Sequence, residues 1–179
     1  DNVEELNAIS EISLSKNTTA KVLLRLTPGI DPHTYAEVAT GKVDSKFGSA
    51  IETGQAEEIT KIALSLKGVE LMGFHCHVGS QVFDSSVYIR SSEVMLNFIK
   101  TIKDKYGYTA KQLDLGGGFG VRYTNDQPTL NVKERIEEIG ISPANTPTIY
   151  SSKGIVSITL VFCLLTLIKT LFIYSNSIS

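Results

Sequence analysis

Residues 69–81 read VELMGFHCHVGSQ, and the order of side chains in this stretch decides the fold. A short run with few polar residues, opened by Lys67-Gly68 and ended by Gly79, predicts a strand over 69–78. With the two-residue repeat of a strand, Val69, Leu71, Gly73, His75 and His77 share one face, and Glu70, Met72, Phe74, Cys76 and Val78 share the other. The second face is mostly apolar, as packing against outer helices requires. The first turns polar only at its C-terminal end, where barrel active sites collect. This asymmetry favours part of a (β/α)8 barrel over a doubly wound sheet.

Outward from this strand, the flanking sequence alternates between helical and extended patterns. Asn2, followed three residues later by Glu5, marks a helix start, and Leu6, Ile9 and Ile12 predict its apolar stripe. Residues 22–26, VLLRL, predict a strand stopped by Pro28-Gly29. In residues 55–66 the positions Ile59, Ile62, Ala63 and Leu66 follow helical spacing, as do Met95, Phe98, Ile99 and Ile102 in residues 86–105, where Gly107 follows as a stop. A strand over 112–115 and a helix over 132–139 complete an α/β series, which predicts a parallel sheet. A closed barrel takes about 250 residues. The few units read here predict a partial one.

The chain has 179 residues, of which 42% are hydrophobic and 20% charged, with Gly 14 and Pro 5. That composition excludes wholesale disorder and collagen. A net charge of -2 gives no basic footprint for nucleic acid, so no nucleic-acid partner is expected. Cys76 and Cys163 are too far apart in sequence and too different in context for a disulfide framework or a cysteine-only zinc site, and a reducing compartment is the default.

Residues 1–150 hold 15 of the 17 Lys and Arg and all 19 acidic residues, whereas 151–179 hold only Lys153 and Lys169. This divides the chain into a barrel domain, 1–150, and a hydrophobic tail, 151–179. Residues 155–173, IVSITLVFCLLTLIKTLFI, are long enough for a helix to cross a hydrocarbon core, with Lys169 near one end. The readings are a transmembrane anchor with membrane contact, a buried core helix, or a non-native extension of an interrupted gene. The last is favoured by the abrupt loss of acidic residues and by a start at Asp1 without Met.

Three constellations follow strands. Gly116, Gly117 and Gly118, in LDLGGGFG, let backbone approach a ligand and point several N–H groups at it, as a phosphate requires, although a tight turn would also use them. The run lacks both the Walker pattern and G-x-G-x-x-G, which disfavours ATP and NAD. His75 and His77 share a strand face, but no HExxH, CxxC or carboxylate companion accompanies them, and no metal is expected. Neutral imidazole, the Ser80 hydroxyl and Gly-rich backbone suit a phosphorylated ring ligand better. Residues 27–53 contain PGIDPHTY and, around Lys46, DSKFG; so long a stretch without an element predicts a functional or interface loop.

Together, RLTPGIDPHTYAEVATGKVDSKFG, GFHCHVGSQVFD and LDLGGGFGVRY resemble the fold-type III pyridoxal-phosphate decarboxylases of ornithine, diaminopimelate and arginine, and most of all the diaminopimelate branch. The resemblance covers roughly residues 1–139. It implies an alanine-racemase-like barrel, pyridoxal 5'-phosphate as cofactor, and a small amino-acid substrate, meso-diaminopimelate, decarboxylated to L-lysine. It further implies a head-to-tail homodimer in the cytoplasm, or in a plastid if the source is a plant. By the same resemblance His77 stacks on the cofactor ring, Ser80 and the backbone of Gly116, Gly117 and Gly118 hold its phosphate, Arg25 lies near it, and Lys46 pairs across the dimer.

The family's Schiff-base lysine would lie upstream of Asp1. Its Glu-Pro-Gly-Arg motif is expected after Ile139, where the chain instead reads SPANTPTIYSSKG, and its later cysteine has no counterpart. No catalytic residue is therefore assigned, and a fragment inactive on its own is expected. The alternatives are a non-catalytic half-barrel that binds a partner or a membrane, and a related amino-acid decarboxylase.

Overall fold

The computed structural model describes residues 1–30, 47–125, 131, 133, 134, 138 and 157–159, the last three as backbone. Helix α1 spans Val3–Ser15, capped by the Asn2 side chain, which accepts from Glu5 N–H at 2.8 Å. Its buried line is Leu6, Ser10 and Ser13, and Ile12 is 55% exposed. The expected Leu6, Ile9, Ile12 stripe is thus corrected beyond Leu6. The reason is local: the 67–68 turn packs on α1, Ser10 Oγ donates to Lys67 O at 2.7 Å, and only small side chains fit there.

Strand β1, Ala20–Thr27, is followed by the two-residue strand β2, Ser49–Ala50. Helix α2, Gln55–Ser65, precedes strand β3, Val69–His75. Helix α3 runs from Ser85 to Tyr106, with Asp84 as N-cap and Gly107 as a left-handed C-cap that donates to Lys103 O. Strand β4 is Gln112–Asp114 and strand β5 is Ser157–Thr159. The sheet is parallel, in the order β2-β1-β3-β4-β5. With the two-residue β2 at the edge left aside, the strands lie side by side in chain order, β1-β3-β4-β5. A barrel adds strands in this way, whereas a doubly wound sheet reverses direction at a switch point.

The core lies on one face of the sheet. Leu6 from α1, Ile59 and Ala63 from α2, and Met95, Phe98, Ile99 and Ile102 from α3 pack with Leu24, Leu26, Leu71, Phe74, Leu113 and Leu115. Phe74, fully buried, meets the Phe98 and Tyr108 rings edge to face, with centroids 5.3 and 6.2 Å away. Such a one-sided helix layer is the arrangement expected of a barrel wall.

Strand β3 departs from uniform alternation. Val22 pairs with Leu71 but Leu23 pairs with Gly73, so one extra residue, Met72, is accommodated as a bulge. Leu71 therefore joins Phe74 on the helix-facing side and not Gly73 and His75, which corrects the simple alternation. Gly73 is required at this point: a Cβ there would overlap the carbonyl oxygen of Gln112 on β4. Within 155–173, Ser157–Thr159 are extended and pair with Gln112–Asp114; the remainder of that segment lies outside the described residues. Among the described residues no helix is long and apolar enough to cross a membrane.

Candidate functional site

At their C-terminal ends β1, β3 and β4 place Arg25, His75 and Asp114 in one register row. Register partners in a parallel sheet point to the same side, so the three side chains lie together on the face opposite the helices. Asp114 Oδ1 accepts from Gly116 N–H at 2.7 Å, and its Oδ2 lies 3.4 Å from His75 Nδ1. That second contact is not aligned as a hydrogen bond, and His75 Nδ1 is buried without a partner among the described residues. Arg25 Nε lies 3.8 Å from Asp1 Oδ1, and its guanidinium sits 4.8 Å from the Phe47 ring centre. Burial pulls the Arg25 pKa below its ordinary value, partly offset by Cys76.

Past the strand ends, the loop after β3 and the loop after β4 are laced together. Val82 N–H donates to Gly118 O and Gly120 N–H to Val82 O, both at 2.9 Å. Gln81 forms a two-point clasp on Val121, donating from Nε2 to its carbonyl at 3.1 Å and accepting at Oε1 from its N–H at 2.8 Å. Tyr88, buried in the first turn of α3, donates to Gly117 O at 3.0 Å and stacks on Phe119 with ring centres 4.6 Å apart. These bonds fix the glycine run from outside.

The structure brings His77 and that run together. A Cβ on Gly116 would lie 2.9 Å from His77 Nδ1, and one on Gly118 would overlap Gly79 O and lie 3.3 Å from His77 Cε1. Gly118 also has φ +85°, a conformation that side chains other than glycine's strain to adopt. Here a Cβ would fill the space the two loops share. His77 is half-buried, and its pKa is lowered from 6.5 by burial first, then by Arg25 and His75, against the opposing pull of Asp114. The balance favours the neutral ring.

Ser80 is exposed beside Gly79 on the same loop. Of the glycine amides, that of Gly116 is committed to Asp114, while those of Gly117 and Gly118 donate to no described residue. Two amides with no acceptor among the described residues, beside the His77 imidazole, provide an anion contact and a flat surface for a ring. The donor set therefore fits a ring bearing a phosphate. Cys76 is fully buried and its thiol is pushed up to about 12, chiefly by burial and then by Asp114, so it is not a nucleophile at neutral pH.

Lys46 and most of the 27–53 loop lie outside the described residues. A cavity of about 390 Å³ opens elsewhere, lined by Asn2, Gly48, Ser49, Gln55, Glu58 and Ile59 among others, and none of His77, Ser80 or Gly116–Gly118 borders it. Volume alone does not locate this site; the convergence of polar groups does. Asp114, Gln81 and Tyr88 are the residues that sequence reasoning missed. For Asp114 a signal existed: an acid two residues before a glycine run, at the mouth end of a buried strand.

The chain is similar in sequence and fold to several known proteins. The family described as "Pyridoxal-dependent decarboxylase, pyridoxal binding domain" matches residues 1–152. The diaminopimelate decarboxylase of Bacillus methanolicus is 40% identical over 153 residues, which are 86% of this chain and 35% of that protein. That of Bacillus subtilis is 37% identical over 139 residues, 78% of this chain and 32% of the relative. Among solved structures, the diaminopimelate decarboxylase of M. jannaschii in co-complex with L-lysine superposes with a TM-score of 0.73 at 31% identity, over 90% of this chain and 36% of that one. The chain thus spans about a third of the length of these relatives, and its sheet is part of their barrel. With a matching family model over most of its length and relatives well above 30% identity, the chain belongs to the pyridoxal-dependent decarboxylases, whose pyridoxal-binding domain it represents in part.

Proposed function

We propose that this chain is barrel sequence of a diaminopimelate decarboxylase, the whole enzyme removing carbon dioxide from meso-diaminopimelate to leave L-lysine. The observation that carries the reading is the His77 imidazole lying against Gly116 and Gly118 at the strand ends, beside two amides that donate to no described residue. Pyridoxal phosphate, when bound, supplies the electron sink that accepts the charge left by departing carbon dioxide. The chain's own residues bind and orient. The Gly117 and Gly118 amides and the Ser80 hydroxyl take the phosphate, and neutral His77 lies on the ring face. Arg25 keeps a positive charge at the inner end of the site. The homodimer, with Lys46 at its interface, and a cytoplasmic location belong to the same reading.

The residues assigned here position the cofactor but do not include an amine to hold it covalently or a partner for its ring nitrogen. We therefore expect the chain by itself to bind pyridoxal phosphate weakly and to release no lysine. The test is fluorescence titration of the full chain with pyridoxal phosphate, with a His77→Ala variant alongside, and an assay for L-lysine from meso-diaminopimelate. Loss of one aromatic contact should weaken binding about tenfold. Equal affinity in wild type and His77→Ala would overturn this assignment, whereas steady lysine release by the chain alone would uphold the reaction and overturn only the expectation that these residues do not suffice for it.

A further inference from the structure

His75 and Asp114 have no place in the functional reading above, although both lie in the row directly beneath it. Asp114 is only 13% exposed, and its two oxygens face different elements: Oδ1 the Gly116 amide, Oδ2 the His75 ring. His75 is 26% exposed as a side chain, yet its Nδ1 is fully buried. Its exposure therefore falls on the other part of the ring, on the inner face it shares with Arg25. An unprotonated Nδ1 would set a lone pair 3.4 Å from a carboxylate oxygen, with no other described donor to relieve the repulsion. A protonated Nδ1 instead turns its positive N–H end toward the carboxylate, the attractive arrangement of the two. The groups around this pair are Arg25 on β1, Cys76 and His77 on the β3 side, and the Gly116 backbone after β4.

We propose that Asp114 and His75 are a positioning pair of the ligand site. Asp114 fixes the glycine run through Gly116 and holds His75 in its Nδ1–H form, so that the Nε2 lone pair of His75 faces inward and accepts a hydrogen bond from a hydroxyl or ammonium group of an amino-acid-like ligand. This rests on the proposed function for the nature of the ligand but not for the pairing itself. The geometry resembles the outer-shell carboxylates that set histidine tautomers at metal sites, where the imidazole's second nitrogen does the work.

The experiment is long-range 1H–15N correlation of the full chain labelled in histidine, at about pH 8, where an ordinary imidazole is neutral. Wild type should show His75 protonated on Nδ1. In Asp114→Asn the amide oxygen still accepts from Gly116, but an NH2 now faces His75, so the tautomer should reverse to Nε2–H with the Gly116 amide still protected from exchange. In Asp114→Ala both contacts go, and the Gly116 amide should exchange about tenfold faster, with inorganic phosphate binding about tenfold weaker, the effect of one hydrogen bond to a charged group. A purely structural Asp114 would leave the tautomer unchanged in Asp114→Asn, and that result overturns the pair. His75→Asn, which removes the ring and leaves Asp114 on Gly116, should retain phosphate affinity and weaken pyridoxal phosphate or diaminopimelate. Unchanged affinity for both overturns the ligand-facing role. Wild type that shows the expected tautomer but binds neither phosphate nor pyridoxal phosphate overturns the proposed function and, with it, the identity of the ligand, while the tautomer result upholds the pair.

Discussion

The two sides of β3 and of the two residues that continue it, Cys76 and His77, differ in kind. On the helix side Phe74 and Cys76 are fully buried, Leu71 nearly so, and α1, α2 and α3 close over them. On the other side His75 and His77 are only half-buried and share their space with Arg25, Asp114 and the glycine run. One strand thus separates a face that supplies burial energy from a face whose polar groups take up burial energy. A side chain's contribution changes in kind between adjacent residues, and substitutions on the two sides should fail in different ways.

The largest effect is expected on the helix side. Phe74→Ala would empty a site bounded by the Phe98 and Tyr108 rings and should destabilise the fold by about 3–5 kcal/mol. Chemical denaturation checks it, and a loss below about 1 kcal/mol would mean that the core can collapse around the gap. On the ligand side Gly118→Ala should cost about 2 kcal/mol, because the residue has φ +85° and its new Cβ would press on the backbone oxygen of Gly79. Its signature is different: the two loops separate, so phosphate affinity should fall further than the melting temperature suggests. Tyr88→Phe sharpens the contrast further. It keeps the ring stacked on Phe119 and removes only the bond to Gly117 O, for about 1 kcal/mol.

Much of this contrast was legible in the sequence. The helical spacing of Met95, Phe98, Ile99 and Ile102 gave α3 and its buried face, because a long helix repeats its signal over many turns. The nearness of His77 to Gly116–Gly118 followed from both lying just beyond neighbouring parallel strands. What escaped was whatever depends on one residue's placement. The bulge at Met72 is invisible to a period-two reading, yet it moves Leu71 to the helix side. The burial of Ser10 in place of Ile12 is set by the turn at Lys67-Gly68, which is distant in sequence. Asp114 stands out by its place before the glycine run, but its neighbour His75 is visible only once the strand register is known.

The smallest effect expected is a pH dependence that belongs to the ligand side alone. Burial, reinforced by Arg25 and His75, lowers the pKa of His77 below its ordinary value of 6.5. The unfolded chain, where the ring is solvated, therefore takes up a proton that the folded ring refuses. Above the unfolded value both states hold His77 neutral, and its contribution to stability is fully retained. As pH falls below that value the unfolded state binds more protons, so stability declines until the folded ring also titrates. His77→Gln removes this titration. Across a series of denaturation curves from neutral pH downward, the difference between wild type and His77→Gln should narrow or reverse as the solution becomes more acidic, whereas Phe74→Ala should lose the same amount at each pH. A constant wild-type to His77→Gln difference would mean that the imidazole is solvated in the folded state, and the neutral ring face assigned to this side of β3 would be lost with it.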